Sequence, residues 1–199
     1  MHELELGPDY ILEGEGLKVF TFPAPILKKV AVEINSFDQE LHKTVKDMLY
    51  TMYRAPGIGL AAPQVGLSIR LFCLDTEFER ERVTNAEGIE TFKYSNFDAE
   101  VFINPVITQR EGEVVCQEGC LSFPGVFEDI KRSEKITVEY QNLDGEKRST
   151  VAEGMRAICI QHELDHLDGI VFLEKLSPLK RALILKKFQK KKKKRGSVG

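Results

Sequence analysis

"QHELDHLDG" (residues 161–169) sets two histidines four positions apart, with a glutamate directly after the first. On an α-helix this spacing puts His162 and His166 one turn apart on one face, where two imidazoles can reach one metal ion. Glu163 lies about 100° round the helix from His162, so it can serve a metal-activated water without being a ligand. This is the His-Glu-x-x-His arrangement. The plainer alternative is an amphipathic helix with two exposed histidines. Met155, Ile158 and Cys159 fall on the same face as His162 and His166, which turns the histidines toward the core. Imidazoles facing a core are costly unless something pairs with them, and a metal ion would do so.

Two histidines do not complete a catalytic metal site. Cys159 shares the helix face, but it precedes His166 by seven residues, about 10 Å along the axis. It reads better as a small apolar residue lining the site. No histidine follows His166, and the others in the chain are His2 and His42. The acids after His166 are Asp168 and Glu174, and neither sits on a second helix facing the clamp. The third-histidine and downstream-glutamate completions of proteases therefore both fail. Upstream, "QEGCLSFPG" (117–125) offers Cys120 after a glycine that allows close backbone approach. Cys116 would share a strand face with Cys120, and spacing alone leaves both open.

Outward from the clamp, the helix is expected over about 153–167, closed by Gly169. Before it, "KITVEYQNLDGEKRSTVAE" reads as a hairpin turning at Asp144-Gly145. After it, "LSPLKRALILKKFQKK" reads as a final helix with Ser177 at the N-cap and Pro178 at the first helical position. A further helix is expected over 38–56, capped by Asp38 and stopped by Pro56-Gly57. The segments 68–75, 100–107 and 112–123 read as strands, with Cys73 in the core, and 76–99 as a polar surface excursion with hairpin character. Strands and helices do not alternate in a βαβ rhythm. The expected fold is α+β, with antiparallel sheets packed around the metal-binding helix and a C-terminal helix.

The length of 199 residues suits one domain with its own core. Hydrophobic content of 42% and charged content of 30% are ordinary for a soluble protein. No apolar run approaches the roughly 20 residues that span a bilayer. The start "MHELELGPDY" does not read as a secretory signal, so the expected location is the cytoplasm. No cysteines form a Cys-x-x-Cys pair. The net charge of −3 hides an asymmetry, because residues 186–195, "KKFQKKKKKR", hold eight basic side chains and no acidic one. The division expected is a domain over 1–185 and a basic tail over 186–199. Such a tail is either a solvated end or a contact for a polyanion.

"GIGLAAPQVG" (57–66), "EGCLSFP" (118–124) and "QHELDH" (161–166), in that order, resemble the three motifs of the peptide deformylases. The likeness covers roughly residues 20–180, and the helix after "LSPLK" resembles the bacterial form. The resemblance implies removal of the N-formyl group from the formyl-methionine of newly made proteins, with formate as product. It implies Cys120, His162 and His166 as metal ligands, Glu163 as general acid/base, and the Gln64 amide with the Leu121 N–H as oxyanion donors. It implies Fe2+ as the metal, one per chain, with Zn2+, Ni2+ or Co2+ able to substitute. Ile58, Met155, Ile158 and Cys159 would line the methionine pocket, and the backbone around Gly59 would pair with the peptide; for the three helix residues the alternative is core packing. The partners implied are formylated nascent peptides and, through the basic tail, the ribosome. DNA and membranes are not expected as partners, and a monomer is. In "GVFEDIKR" (125–132), Phe127 stands where some bacterial members have arginine, and Arg132 is a candidate to replace that charged contact. An endopeptidase and a non-enzymatic metal protein are the rival readings, and neither accounts for all three motifs.

Overall fold

The computed structural model describes residues 4–6, 13–55, 57–84, 88 and 90–196. Pro56, expected to stop the first helix, and His2 lie outside these residues. Among the described residues the α-helices are α1 (Gln39–Arg54), α2 (Gly154–Leu167) and α3 (Pro178–Gly196). The strands among the described residues are β1 (Leu4–Leu6), β2 (Gly59–Ala61), β3 (Leu71–Leu74), β4 (Glu79–Thr84), β5 (Glu90–Ser95), β6 (Glu100–Glu111), β7 (Val114–Gly119), β8 (Phe127–Arg132), β9 (Lys135–Gln141) and β10 (Lys147–Glu153). The architecture is α+β, as the sequence predicts.

The main sheet is antiparallel, in the order β10-β9-β6-β3-β2. It lies between α1 and α2. Along β3, Leu71 and Cys73 pack into the α1 cluster with Met48, Met52 and Ile103, while Phe72 and Leu74 pack into the α2 cluster with Phe102, Ile160 and Leu164. A strand covered on both faces reads as a continuous apolar run rather than an alternation, and "LFCL" is such a run.

The expected excursion at 76–99 contains the antiparallel pair β4–β5, with Glu79 opposite Ser95. β1 adds to β5 in parallel, Leu4 opposite Phe92. Asp75 pins the base of this excursion: it accepts hydrogen bonds from the Tyr53 hydroxyl at 2.6 Å and from the backbone N–H of Glu77, Phe78 and Asp98 at 3.0, 3.0 and 2.8 Å.

The helix ends follow their local signals. Asp38 accepts from the Leu41 N–H at 3.0 Å and caps α1. Gly169, at φ +70°, lets the chain leave α2 in the left-handed conformation that favours glycine. Ser177 accepts from the Lys180 N–H at 3.4 Å ahead of α3. α3 continues unbroken across residue 185, and Phe188 is buried against Phe123, with ring centroids 5.4 Å apart.

Candidate metal centre

α2 is buried on nearly all sides from Ala157 to Leu167, so its polar residues need partners inside the protein. His162 and His166 project from it toward the turn after β7. There Cys120 presents its sulfur 3.2 Å from His166 Nε2. One ligand atom each from Cys120, His162 and His166 lies within 4.8 Å of the others, and among the described residues this is the group of histidine, cysteine and acidic side chains close enough to hold a metal ion. Cys116 lies one turn of strand earlier, in β7 itself, and does not join the cluster. β7 ends at Gly119, and the turn beyond it carries Cys120 toward the helix. Cys159 is a neutral thiol: burial, with Glu163 adding to it, pushes its pKa well up. Cys73 is fully buried in the core, where burial likewise raises its thiol.

Two nitrogens and one sulfur suit a divalent ion of intermediate softness and leave a fourth position for water or substrate. Two further observations agree with such an ion. His162 Nδ1 lies 2.8 Å from Glu118 Oε2, which leaves its Nε2 to face the cluster. Glu163 Oε2 is buried with no hydrogen-bond partner among the described residues, as is His166 Nδ1. A carboxylate oxygen so placed suits a proton carrier beside a reacting water.

The charges are set by their surroundings. Burial raises the Glu163 carboxyl to about 7, against the smaller opposing pull of His162. Burial would also raise Glu118, but hydrogen bonds from Arg132 and His162 outweigh it and hold its pKa at about 2. Burial opposes charge on His162, and the Cys120 sulfur and Glu118 carboxylate overcome it, so its pKa lies well above the usual value. Burial, with His162 and Arg132 adding to it, takes His166 well below the usual value.

Glu118 is a functional candidate that the sequence analysis misses. Arg132 grips it in a fork, Nε to Oε1 at 2.6 Å and Nη2 to Oε2 at 2.9 Å, and donates Nη1 to Asp165 Oδ2 at 2.5 Å. Lys175 Nζ reaches the other Asp165 oxygen at 3.0 Å. Arg132 is therefore buried behind the Cys-His-His cluster. It cannot replace a charged contact to peptide at position 127, which corrects that expectation. Its guanidinium is committed to two carboxylates, the planar two-point geometry that arginine favours.

A cleft of about 460 Å³ opens in front of the cluster. It brings together Gln64, Cys120, Leu121, His162 and Glu163 with Ile58, Gly59, Met155, Ile158 and Cys159. Gln64 sits in the turn after β2. Its Oε1 accepts from the Ala61 N–H at 2.8 Å, and its Nε2 donates to Ser122 Oγ at 3.3 Å and toward Cys120 Sγ at 3.6 Å. The amide is thus aimed at the ligand turn. Ile158 and Cys159 are buried in the cleft wall. Met155 lines the same cleft and is half exposed at its mouth, so the core-packing alternative does not hold for it. Gly59 is required for close approach: a Cβ there would collide with Glu163 Oε1 and stand 2.8 Å from Cys159 Sγ.

A sequence model of the polypeptide deformylase family matches residues 17–182. A peptide deformylase of Desulfotalea psychrophila is 44% identical over 174 residues, which are 87% of this chain and 95% of the relative. The crystal structure of a peptide deformylase from Legionella pneumophila superposes with a TM-score of 0.78 at 35% identity, covering 92% of this chain and 99% of that one. That of a peptide deformylase from Synechococcus elongatus, in complex with actinonin, gives a TM-score of 0.74 at 38% identity, with 86% of each chain covered. Three separated motifs, a shared fold and a Cys-His-His cluster agree, and the chain belongs to the polypeptide deformylase family, metalloenzymes that remove formyl groups from nascent peptides.

Proposed function

We propose that this chain removes the N-formyl group from formyl-methionine at the start of new polypeptides, using one Fe2+ held by Cys120, His162 and His166. The observation that carries this reading is the unpartnered, buried Glu163 oxygen beside that three-ligand cluster. The ion would supply Lewis acidity, lowering the pKa of a water in the open position. Zn2+, Ni2+ or Co2+ suit the same donor set.

The remaining steps belong to the chain's own groups. The Glu163 carboxylate takes the water's proton as the water attacks the formyl carbon, and later gives that proton to the leaving amine. A pKa near neutrality suits both halves of that task. Gln64 Nε2 and the Leu121 N–H donate to the oxyanion that develops on the formyl oxygen. Donors of this kind are worth about 2.7–4 kcal/mol each in the transition state. Formate departs.

The methionine side chain enters between Ile58, Met155, Ile158 and Cys159. β2 is the edge strand of its sheet, and its backbone around Gly59 pairs with the extended peptide, a strand-addition mode that takes affinity from main-chain hydrogen bonds. Glu118 holds His162 in its ligating tautomer.

The cytoplasm is the compartment where such substrates are made. Among the described residues no helix is long and apolar enough to cross a membrane. Residues 186–195 add ribosome affinity through their basic side chains, while Phe188 among them packs into the enzyme domain, which therefore extends past the expected boundary at residue 185. Truncation after Leu185 would remove the buried Phe188 as well as charge. The cleaner test replaces the eight basic side chains of 186–195 by glutamine and keeps Phe188. This variant should co-sediment less with ribosomes at low salt, and unchanged binding would refute the tail's role.

The test of the reaction is formate release from formyl-Met-Ala by protein purified anaerobically with Fe2+. The acetylated peptide serves as control. Formate from the first peptide and no acetate from the second is the expected result. A loaded protein that releases none would refute the reading.

A further inference from the structure

The outer part of the cleft has a chemistry of its own. Phe127, on β8, is 63% exposed, and its ring edge turns into the cleft mouth. Ile58 and Met155 stand at the same mouth, 39% and 50% exposed. Large apolar side chains left this open around one opening are better explained by an occupant than by packing.

The ring is seated by the strand pairing. Phe127 lies in register with Gly119, the residue immediately before Cys120. A Cβ at Gly119 would approach the Phe127 ring carbons to 2.7 and 2.9 Å. The ring therefore rests directly on the Gly119 backbone, one strand-width from the chain that carries the metal ligand. That places it outside the methionine pocket, whose inner wall is the buried Ile158 and Cys159 and whose rim is the half-exposed Ile58 and Met155, and beside the path of the residues that follow.

Charge points the same way. Among the described residues lining the cleft, the carboxylates are Glu118 and Glu163, both buried at the floor, and no lysine or arginine is present. Nothing at the mouth could pair with a charged side chain, and desolvating one against Phe127 would be unfavourable.

We propose that Phe127, with Ile58 and Met155, forms an apolar collar that selects substrates with a bulky apolar side chain at one of the two positions after formyl-methionine. This rests on the deformylase reading above and extends it to substrate preference. Phe127 acts by binding and does not touch the reacting atoms.

The test is kcat/KM for formate release from two peptide series, formyl-Met-X-Ala and formyl-Met-Ala-X, with X as Phe, Leu, Ser or Asp. Wild type should favour Phe over Asp by about tenfold at one position. Phe127→Ala should reduce that ratio to about threefold or less, Phe127→Leu should keep most of it, and Phe127→Arg should turn the preference toward Asp. Melting temperature and metal content, read on each variant, separate a change of preference from damage to the fold. Formate release with no preference at either position, or a preference unchanged in Phe127→Ala, overturns the collar alone. No formate from any peptide overturns the deformylase reading and the collar with it.

Discussion

His162 Nδ1 and Glu118 Oε2 lie 2.8 Å apart, deep behind the metal cluster. Because Arg132 keeps Glu118 ionised, the carboxylate accepts a hydrogen bond from Nδ1–H and leaves Nε2 to face the cluster. Partners of this kind fix ring orientation and raise ligand basicity. Glu118→Gln should weaken metal affinity by about 10–100-fold, measured by competition with a chelator. Unchanged affinity would mean that the helix alone orients His162.

Gly59 leaves no room for a side chain beside Glu163 and Cys159. Gly59→Ala should displace the Glu163 carboxylate and lower kcat by about 100-fold, while the metal ligands stay in place. Metal content by elemental analysis and kcat on formyl-Met-Ala check the two halves. Near wild-type kcat would show that Glu163 has room to shift without cost.

Phe188 packs on Phe123, whose N–H donates to the Cys120 carbonyl at 2.9 Å. α3 thus buttresses the ligand turn from behind. Phe188→Ala should destabilise the protein by about 3 kcal/mol and lower Tm by about 6–12 °C, read by thermal denaturation. A shift near zero would show that the helix docks without that ring.

Asp47 ties the segment before α1 to the helix. It accepts from the Glu15 N–H at 2.8 Å and pairs with Lys43 Nζ at 2.8 Å. Burial works to raise its carboxyl, and the Lys43 and Glu15 hydrogen bonds outweigh it, leaving it below the usual value. A lowered folded pKa gives stability that is present above the unfolded value and is lost as pH falls through the folded one. Asp47→Asn should therefore lose less Tm than wild type between about pH 5 and about pH 3. Parallel acid limbs for the two proteins would contradict this.

The clamp was legible because its information is local: helical spacing alone aligns His162 with His166, and the two orphaned polar atoms of α2 belong to residues in the quoted motif. Cys120 could not be separated from Cys116 by spacing, because the turn after Gly119 makes the choice and strand periodicity ends there. Glu118 sits inside a quoted motif, yet its role depends on Arg132, which reaches it from β8, and on Asp165 of α2, which holds that guanidinium. No pattern in the chain announces that meeting. Met155 shares a helix face with His162 yet is half exposed at the cleft mouth, because periodicity marks a face and not what packs against it. Phe188 was hidden in a run of lysines, where charge masked a single buried ring.

The most direct test of the central claim is formate release by Glu163→Gln, purified anaerobically with Fe2+ beside wild type. Glutamine keeps the size of the side chain and cannot carry the proton. The prediction is one metal per chain in both proteins and a kcat lower by about 10²–10⁴-fold in the variant. A variant with full metal and near wild-type kcat would contradict Glu163 as the proton carrier, and with it the mechanism built on this centre.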